Sequence, residues 1–141
     1  AYGPILAPEQ IDYMLAQMYA PERLRRDLAE GVVLLWVHHR GERVGFLAAG
    51  PVAGGGVAPL HKCYLLPETQ GQGVGSAALA LLRERLAAMG ARSVELRVNR
   101  HNAAAIAFYR KNGFAIQGQD CRPIGGGYAM DDYLMRLELA R

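Results

Sequence analysis

The feature of this sequence that most constrains its fold is an amphipathic helical segment between two strand-like segments. The first strand-like segment, Val57 to Leu66, is apolar and is stopped by Pro67, which lacks the N–H that a sheet ladder needs. In the second, Val94 to Val98, apolar and polar residues alternate. The helical segment between them ends at Gly90. Its apolar residues recur every three to four positions: Leu79, Leu82, Leu86 and Met89. This apolar face must pack on a sheet.

Further helix and strand patterns flank this unit. Helical spacing is present in Pro8 to Met18 and in a stretch that begins at Pro21 and ends near Gly31. The remaining predicted elements are two strands joined by a hairpin turn at Arg40 to Glu42, one short helix and two final strands: Val32 to His38, Arg43 to Ala49, Ala103 to Lys111, Phe114 to Gln117 and Tyr133 to Leu139. Helices between strands, with hairpins at both ends, predict a mixed α/β sheet.

Composition narrows the class of protein. The 141 residues, 51% of them hydrophobic, fit one globular domain that spans residues 1–141. Apolar runs fall far short of the roughly 18 to 20 residues that cross a bilayer, and no signal-peptide pattern is present, which predicts a soluble, cytoplasmic protein. The net charge is +3 without any basic run, so a small anionic ligand is favoured over nucleic acid. Cys63 and Cys121 have no metal-site or disulfide spacing, and no metal is predicted.

The glycine-rich turn from Gln70 to Ser76 lies between a predicted strand and a predicted helix. Backbone N–H groups and the positive end of the helix dipole converge there, which predicts an anion site, although such a turn can also be purely structural. Glycine lets a phosphate approach the backbone closely. A Walker loop is excluded because no Lys-Ser/Thr pair follows, and a dinucleotide fingerprint fails because Ser76 replaces its third glycine.

Two motifs together resemble one family. The turn reads Gln-x-x-Gly-x-Gly, and about thirty residues later Asn102 to Phe114 reads Asn-x-x-Ala-x-x-x-Tyr-x-x-x-Gly-Phe. This pattern resembles the GCN5-related N-acetyltransferase (GNAT) family, and Tyr128 to Met135 is similar to the last strand of many bacterial members. The resemblance covers residues 8 to 139. It implies a mixed, mostly antiparallel central sheet flanked by helices, and we expect the usual first strand and helix to be missing here.

The resemblance also implies a donor and the residues that bind it. Acetyl-CoA would be the donor, with its pyrophosphate on the glycine turn and its pantetheine arm in a splay between Val57 to Leu66 and Ser93 to Asn99. The main-chain N–H of Leu65 would stabilise the oxyanion. The residues expected to bind the coenzyme are Leu65, Gln70, Gly71, Gln72, Gly73, Val74, Gly75, Ser76, Asn99 and Asn102. Asn102 also has a complete structural role as a helix N-cap.

Three side chains are candidates for the chemistry. By resemblance, Tyr109 is the general acid that protonates the departing thiolate, whereas periodicity alone would make it a core residue. His61, on the same strand face as Cys63 and Leu65, is a candidate general base because an unperturbed histidine titrates near pH 6.5. Glu95 is the carboxylate alternative, provided that burial raises its pKa. Family members often use a water chain, in which case no dedicated base exists.

The sequence therefore predicts an acetyl-CoA-dependent N-acetyltransferase that acts by direct attack of a primary amine, either a small metabolite such as a polyamine or a peptide N-terminus. The alternative is a non-catalytic regulatory module that binds the coenzyme. Asp131 and Asp132, with Glu68, could attract a cationic acceptor, or they could form a solvated acidic turn. The loops Ala53 to Ala58 and Cys121 to Ala129 would select the acceptor. The apolar last strand could pair across a homodimer, or it could be internal to the sheet.

Overall fold

A computed structural model describes residues 25–26, 28–66, 69, 73–126 and 128–139. Within them, six strands and two helices of more than one turn build the fold, and a single turn of 3-10 helix spans Gly54–Gly56. The strands and helices in chain order are β1 Val33–His39, β2 Glu42–Ala49, β3 Val57–Leu65, α1 Val74–Ala88, β4 Ser93–Asn99, α2 Ala103–Lys111, β5 Ala115–Gly125 and β6 Tyr128–Glu138. Neither helix is long and apolar enough to cross a bilayer.

The strands form one sheet in the order β1-β2-β3-β4-β6-β5. Every neighbouring pair is antiparallel except β3 and β4, which are parallel and are joined through α1. This arrangement confirms the predicted mixed, mostly antiparallel sheet with helices against it. The prediction that a first strand and helix are missing concerns residues before 25, which lie outside the described residues. The predicted helix from Pro8 to Met18 lies outside them as well.

Both helices pack on the same face of the sheet. A Cβ at Gly75 in α1 would come within 3.0 Å of the Phe108 ring in α2, and a Cβ at Gly113, just after α2, would come within 2.9 Å of Leu137 Cδ1 in β6. The helix-facing side chains of β4 are apolar and buried: Val94, Leu96 and Val98. Since side chains alternate along a strand, the other face of β4 carries Glu95, Arg97 and Asn99.

The β1–β2 hairpin forms where the sequence predicts it. His39 pairs with Glu42, so the connecting turn has two residues, and both of them have positive φ: 53° at Arg40 and 81° at Gly41. A two-residue turn with positive φ at both positions matches the right-handed twist of the strands it joins.

The last two strands are longer than the sequence predicts. Phe114 to Gln117 and Tyr133 to Leu139 were expected, whereas β5 and β6 each span 11 residues. The polar residues and glycines in the additional parts of these strands are typical of a loop. In the structure, however, Gln119 Nε2 donates to Asp131 Oδ1 across the two strands at 3.0 Å. Most of the expected acceptor loop from Cys121 to Ala129 is therefore strand. In α1, the predicted apolar residue Met89 lies beyond the last helical turn and is 43% exposed.

Candidate active site

A gap opens in the middle of the sheet between β3 and β4. The two strands pair only at their first residues, where Val57 to Pro59 lie opposite Ser93 to Glu95. Beyond that point each strand continues, β3 to Leu65 and β4 to Asn99, without further pairing between them in the described part of the chain. The structure thus contains the splay that the family resemblance implies, on the same two segments.

The backbone of β3 directs a hydrogen-bond donor into this gap. Leu66 N–H donates to Val44 O at 2.7 Å. Because N–H groups alternate sides along an antiparallel strand, the N–H of the preceding residue, Leu65, points away from β2 and toward β4. The main-chain group predicted to stabilise an oxyanion therefore lies at the edge of the gap.

The N-terminus of α1 lies next to the same end of β3. Ala77 N–H makes the first intrahelical bond, to Gly73 O at 3.0 Å, so the N–H groups of Val74, Gly75 and Ser76 have no helical acceptor. Gly73, the residue that caps the helix, has a φ of 73° and open space where a Cβ would stand. This arrangement suits an anion. The other predicted residues of the turn, Gln70, Gly71 and Gln72, lie outside the described residues.

Gly75 has a packing role that the sequence analysis did not anticipate. A Cβ there would approach Leu65 Cδ1 to 2.8 Å and two ring carbons of Phe108 to 3.0 Å. A side chain would therefore push α1 away from both β3 and α2. Glycine at this position is required for close packing of these elements, whatever binds at the helix N-terminus.

Tyr109 lies in the core with its hydroxyl unsatisfied. The residue has 0% exposure, and its ring packs edge-on against Phe108 and Phe114 at centroid distances of 5.4 and 5.6 Å. Within the described residues, its buried hydroxyl has no hydrogen-bond partner of normal geometry. Leaving such a group unpaired costs about 1 to 3 kcal/mol. Core packing explains the ring but not the hydroxyl, which a phenylalanine would lack.

The thiol of Cys63 lies beside this hydroxyl. Burial raises the pKa of the Cys63 thiol from 9.0 to about 12, an effect that the neighbouring Tyr109 partly opposes. Burial, followed by the influence of Cys63, also raises the pKa of Tyr109 above its ordinary value of 10.0. Both groups therefore carry their protons at neutral pH. The sequence analysis assigned Cys63 to the core alone, because nothing in one sequence shows that β3 meets α2 here.

The buried thiol should make stability depend on pH. Above pH 9 the unfolded chain loses a proton that the folded chain keeps until about pH 12. The contribution of Cys63 to stability is therefore complete below pH 9 and declines above it, by about 1.4 kcal/mol per pH unit. Cys63→Ala removes this decline but leaves a cavity. We expect urea unfolding to show a less stable variant at pH 7 and a narrower difference from the wild type at pH 10.

The exposed thiol at Cys121 supplies the control. A Cys121→Ala variant should follow the wild type at every pH. A difference between wild type and Cys63→Ala that stays constant from pH 7 to pH 10 would contradict the predicted role of the Cys63 thiol.

His61 lies in a β-bulge at the start of the gap. Ala49 pairs with Leu60 and Ala48 with Lys62, which leaves His61 as the extra residue on β3. The bulge breaks the simple alternation that grouped His61 with Cys63 and Leu65. Its exposed ring lies with Nε2 at 2.7 Å from Gly50 O. Because a carbonyl only accepts, Nε2 donates in this hydrogen bond, and in the neutral ring Nδ1 is then the acceptor.

Glu95 lies at the closed end of the gap and is ion-paired. It is the β4 residue opposite Pro59, and its carboxylate accepts from Arg136 Nε at 2.9 Å and from a second nitrogen of the same guanidinium. It also lies on the sheet face away from Tyr109. Glu95 is therefore a partly exposed, ion-paired carboxylate and not the buried one that the alternative hypothesis for the base required.

Each of the two predicted asparagines accepts a local backbone hydrogen bond. Asn102 Oδ1 accepts from Ala105 N–H at 3.2 Å and caps α2, as its sequence position predicts. Asn99 Oδ1 accepts from His101 N–H at 2.9 Å at the end of β4. Both residues lie at the open end of the gap, and both side chains have structural roles there.

A separate cavity of about 690 Å³ lies between β1 and α1. Its walls include Leu35, Leu47 and Leu81, and of the predicted coenzyme-binding residues that the structure describes, Gly73 and Val74 border it. None of Tyr109, His61 and Glu95 lines it, so this cavity is distinct from the gap between β3 and β4.

Comparison with known proteins points to one family. Residues 5–114 match the family model described as the acetyltransferase (GNAT) family. That range includes the glycine turn, the gap between β3 and β4, and the Asn102 to Phe114 motif.

Solved structures of similar fold carry related descriptions. A putative GNAT acetyltransferase from Desulfovibrio desulfuricans is 26% identical, with a TM-score of 0.75, and the match covers 96% of this chain and 84% of that one. A ribosomal-protein-alanine N-acetyltransferase from Brucella melitensis is 25% identical, with a TM-score of 0.70 and coverage of 84% and 75%. The PaiA N-acetyltransferase from Thermoplasma acidophilum, solved with coenzyme A, is 24% identical, with a TM-score of 0.71 and coverage of 95% and 80%.

Proposed function

The chain belongs to the acetyltransferase (GNAT) family and is an N-acetyltransferase with acetyl-CoA as donor, and from this premise we propose that it transfers the acetyl group to a primary amine by direct attack, with Tyr109 as general acid. The observation that carries the proposal is the buried hydroxyl of Tyr109, which has no hydrogen-bond partner of normal geometry among the described residues. In a binding module that hydroxyl would only cost stability, whereas in an enzyme it supplies a proton.

The residues present fit the coenzyme. The N–H groups of Val74, Gly75 and Ser76 would hold its phosphates, together with the rest of the glycine turn, and the open space at Gly73 leaves room for close approach. The Leu65 N–H, directed into the gap, would hold the arm and polarise the carbonyl. When bound, acetyl-CoA supplies an acetyl group activated as a thioester. Asn99 and Asn102 remain proposed contacts at the open end of the gap.

The surroundings of Tyr109 determine when its hydroxyl can release its proton. The hydroxyl oxygen keeps its proton at neutral pH because burial penalises the phenolate. The hydroxyl can therefore release that proton only to a strong base that comes into hydrogen-bonding contact with it. The same burial would raise the basicity of a developing thiolate in the gap, so that sulfur could take the proton once it contacts the hydroxyl. The weak bond-forming capacity of the neighbouring Cys63 thiol leaves the hydroxyl available for that contact.

For the general base we retain His61, and a water chain as the alternative. His61 lies two residues beyond Pro59, the last residue of β3 that pairs with β4, and in the neutral ring its Nδ1 is an acceptor. The ion pair with Arg136 makes Glu95 the weaker candidate. A cytoplasmic location and a homodimer remain predictions of the sequence.

Calorimetric titration with acetyl-CoA and with desulfo-CoA, followed by thiol-release assays against polyamines, amino acids and short peptides, tests the proposal. We expect binding of both coenzyme forms and thiol release with at least one class of amine. Binding without release from any amine would favour the regulatory module instead. Absence of binding would contradict both functions.

A further inference from the structure

We propose that Thr69 is a positioning residue for the coenzyme, because its hydroxyl fixes the chain between the two groups of N–H donors that bind acetyl-CoA. This inference rests on the proposed function, since it concerns how the proposed donors at Leu65 and at the N-terminus of α1 are held relative to each other. Three observations carry it: the burial of Thr69, the two hydrogen bonds that it makes to one carbonyl, and the position of that carbonyl directly after β3.

Thr69 is a buried polar residue in the connection from β3 to α1. Only 4% of its surface is exposed. Its Oγ1 donates to Leu66 O at 2.7 Å, and its own N–H donates to the same oxygen at 3.1 Å. A threonine hydroxyl often bonds to the backbone three residues earlier and so closes a turn. The side chain of Thr69 therefore strengthens a turn that the backbone alone would close with one hydrogen bond.

The residue that accepts these bonds, Leu66, is held on both sides. Its N–H donates to Val44 O in β2 at 2.7 Å, whereas its carbonyl accepts both bonds from Thr69. Leu66 also precedes Pro67 in the sequence, and a residue before proline is restricted to extended backbone. The peptide planes before and after Leu66 are thus both fixed. The direction in which the chain leaves β3 is therefore set by β2 and by Thr69.

This connection joins two places that would bind one molecule. Leu65, whose N–H points into the gap, comes four residues before Thr69. The N–H groups without a helical acceptor begin at Val74, five residues after it. Gly75 packs closely against Leu65 and so sets where α1 begins relative to β3. Both sets of donors must face the coenzyme at the same time, and the chain between them determines whether they do.

The functional consequence is that the site is organised before the coenzyme arrives. A protein whose binding-competent conformation is only partly populated binds with an affinity that is reduced by that fraction. The buried hydrogen bond from Thr69 Oγ1 favours the conformation in which the connection is closed onto the end of β3. Without the hydroxyl, the N–H of Thr69 alone would close the turn, and the competent conformation would be less populated.

Thr69→Val tests this role because it removes the hydroxyl and keeps the β-branched shape and the backbone N–H. We expect the dissociation constant for coenzyme A, measured by calorimetry, to rise by about threefold to tenfold, the effect of one net hydrogen bond. The KM for acetyl-CoA should rise by the same factor, while kcat at saturating donor stays within about twofold of the wild type. Thr69→Ser, which keeps the hydroxyl, should bind coenzyme A as the wild type does.

Asn112→Ala is the matched control. Asn112 Nδ2 donates to Phe108 O at 2.9 Å, so this variant also loses one side-chain bond to a backbone carbonyl, but at the C-terminal end of α2. It should lose stability in urea unfolding and keep its affinity for coenzyme A. If Thr69→Val behaved in the same way, with lower stability and an unchanged dissociation constant, Thr69 would have a structural role only and the proposal would be overturned.

Amide hydrogen exchange in the wild type decides the question if Thr69→Val does not fold. We expect the N–H of Thr69 to be protected in the free protein, with little further protection when coenzyme A is added. Exchange of this N–H at the rate of an open chain in the free protein, followed by protection with coenzyme A, would mean that the coenzyme itself orders the turn. That result would overturn the proposal.

The failure of this proposal is distinguishable from the failure of the proposed function. Thiol release with an amine, together with equal coenzyme affinity in the wild type and Thr69→Val, would overturn the positioning role alone. Coenzyme binding without release from any amine would contradict the proposed transfer, and a weaker affinity in Thr69→Val would then still support the role of Thr69. Absence of coenzyme binding by the wild type would overturn both.

Discussion

A Tyr109→Phe variant is expected to lose about 10²- to 10⁴-fold in kcat while it keeps its fold and its affinity for coenzyme A. The ring contacts with Phe108 and Phe114 stay in place. Because the hydroxyl makes no normal hydrogen bond in the described part of the structure, its removal costs only the weak contact with the Cys63 thiol. The stability of the variant should therefore equal or exceed that of the wild type, and only turnover should fall.

A matched control is available in Tyr64, which is also fully buried but belongs to the other face of β3. Its ring packs against Phe46 at a centroid distance of 5.0 Å. Tyr64→Phe should leave kcat within a few fold of the wild type. Thiol release under saturating donor and acceptor, together with calorimetry for coenzyme A, measures both variants. Near-normal kcat in Tyr109→Phe would make Tyr109 a packing residue and remove it from the proton transfer.

The largest expected effect on stability is that of Gly45→Ala in β2. A Cβ at this position would stand 2.1 Å from Tyr64 O and 2.8 Å from Leu65 Cδ2. The first of these atoms belongs to the backbone of the neighbouring strand, so it cannot rotate away. β2 and β3 must separate locally, and we expect a loss of about 2 to 4 kcal/mol in the free energy of unfolding.

Gly118→Ala is the control for this substitution. Gly118 is also a strand glycine, its φ is not positive, and a Cβ there would meet nothing within 4 Å. Urea unfolding should find this variant as stable as the wild type or slightly more stable, because alanine has less conformational freedom in the unfolded chain. A Gly45→Ala protein within 0.5 kcal/mol of the wild type, by the usual spread of surface substitutions, would contradict the predicted clash.

Local patterns predicted the elements around the site, and long-range contacts determined the rest. The spacing of Leu79, Leu82 and Leu86 predicted α1, and all three side chains are buried. Alternation predicted β4 with its buried and exposed faces. The bulge at His61, by contrast, depends on the register between β2 and β3, which a single strand does not encode.

The side chains of the site show the same contrast between what local sequence patterns predict and what long-range contacts determine. Periodicity made Tyr109 a core residue, and only the motif around it suggested a further role. Its buried hydroxyl, which makes no normal hydrogen bond among the described residues, supports that role. Asp131 and Asp132 look equivalent in the sequence. They differ in the structure because strand alternation directs successive side chains to opposite faces and because Arg100 lies within reach of Asp131.

The short parallel pairing of β3 with β4 also has a thermodynamic consequence. In the described part of the chain, Val57 to Pro59 and Ser93 to Glu95 form the only ladder that joins the half-sheet β1-β2-β3 to the half-sheet β4-β6-β5. A molecule held in the gap bonds to both halves and so acts as a cross-link between them. Its binding free energy stabilises the joined sheet. The two halves should therefore unfold together more cooperatively as ligand occupancy rises.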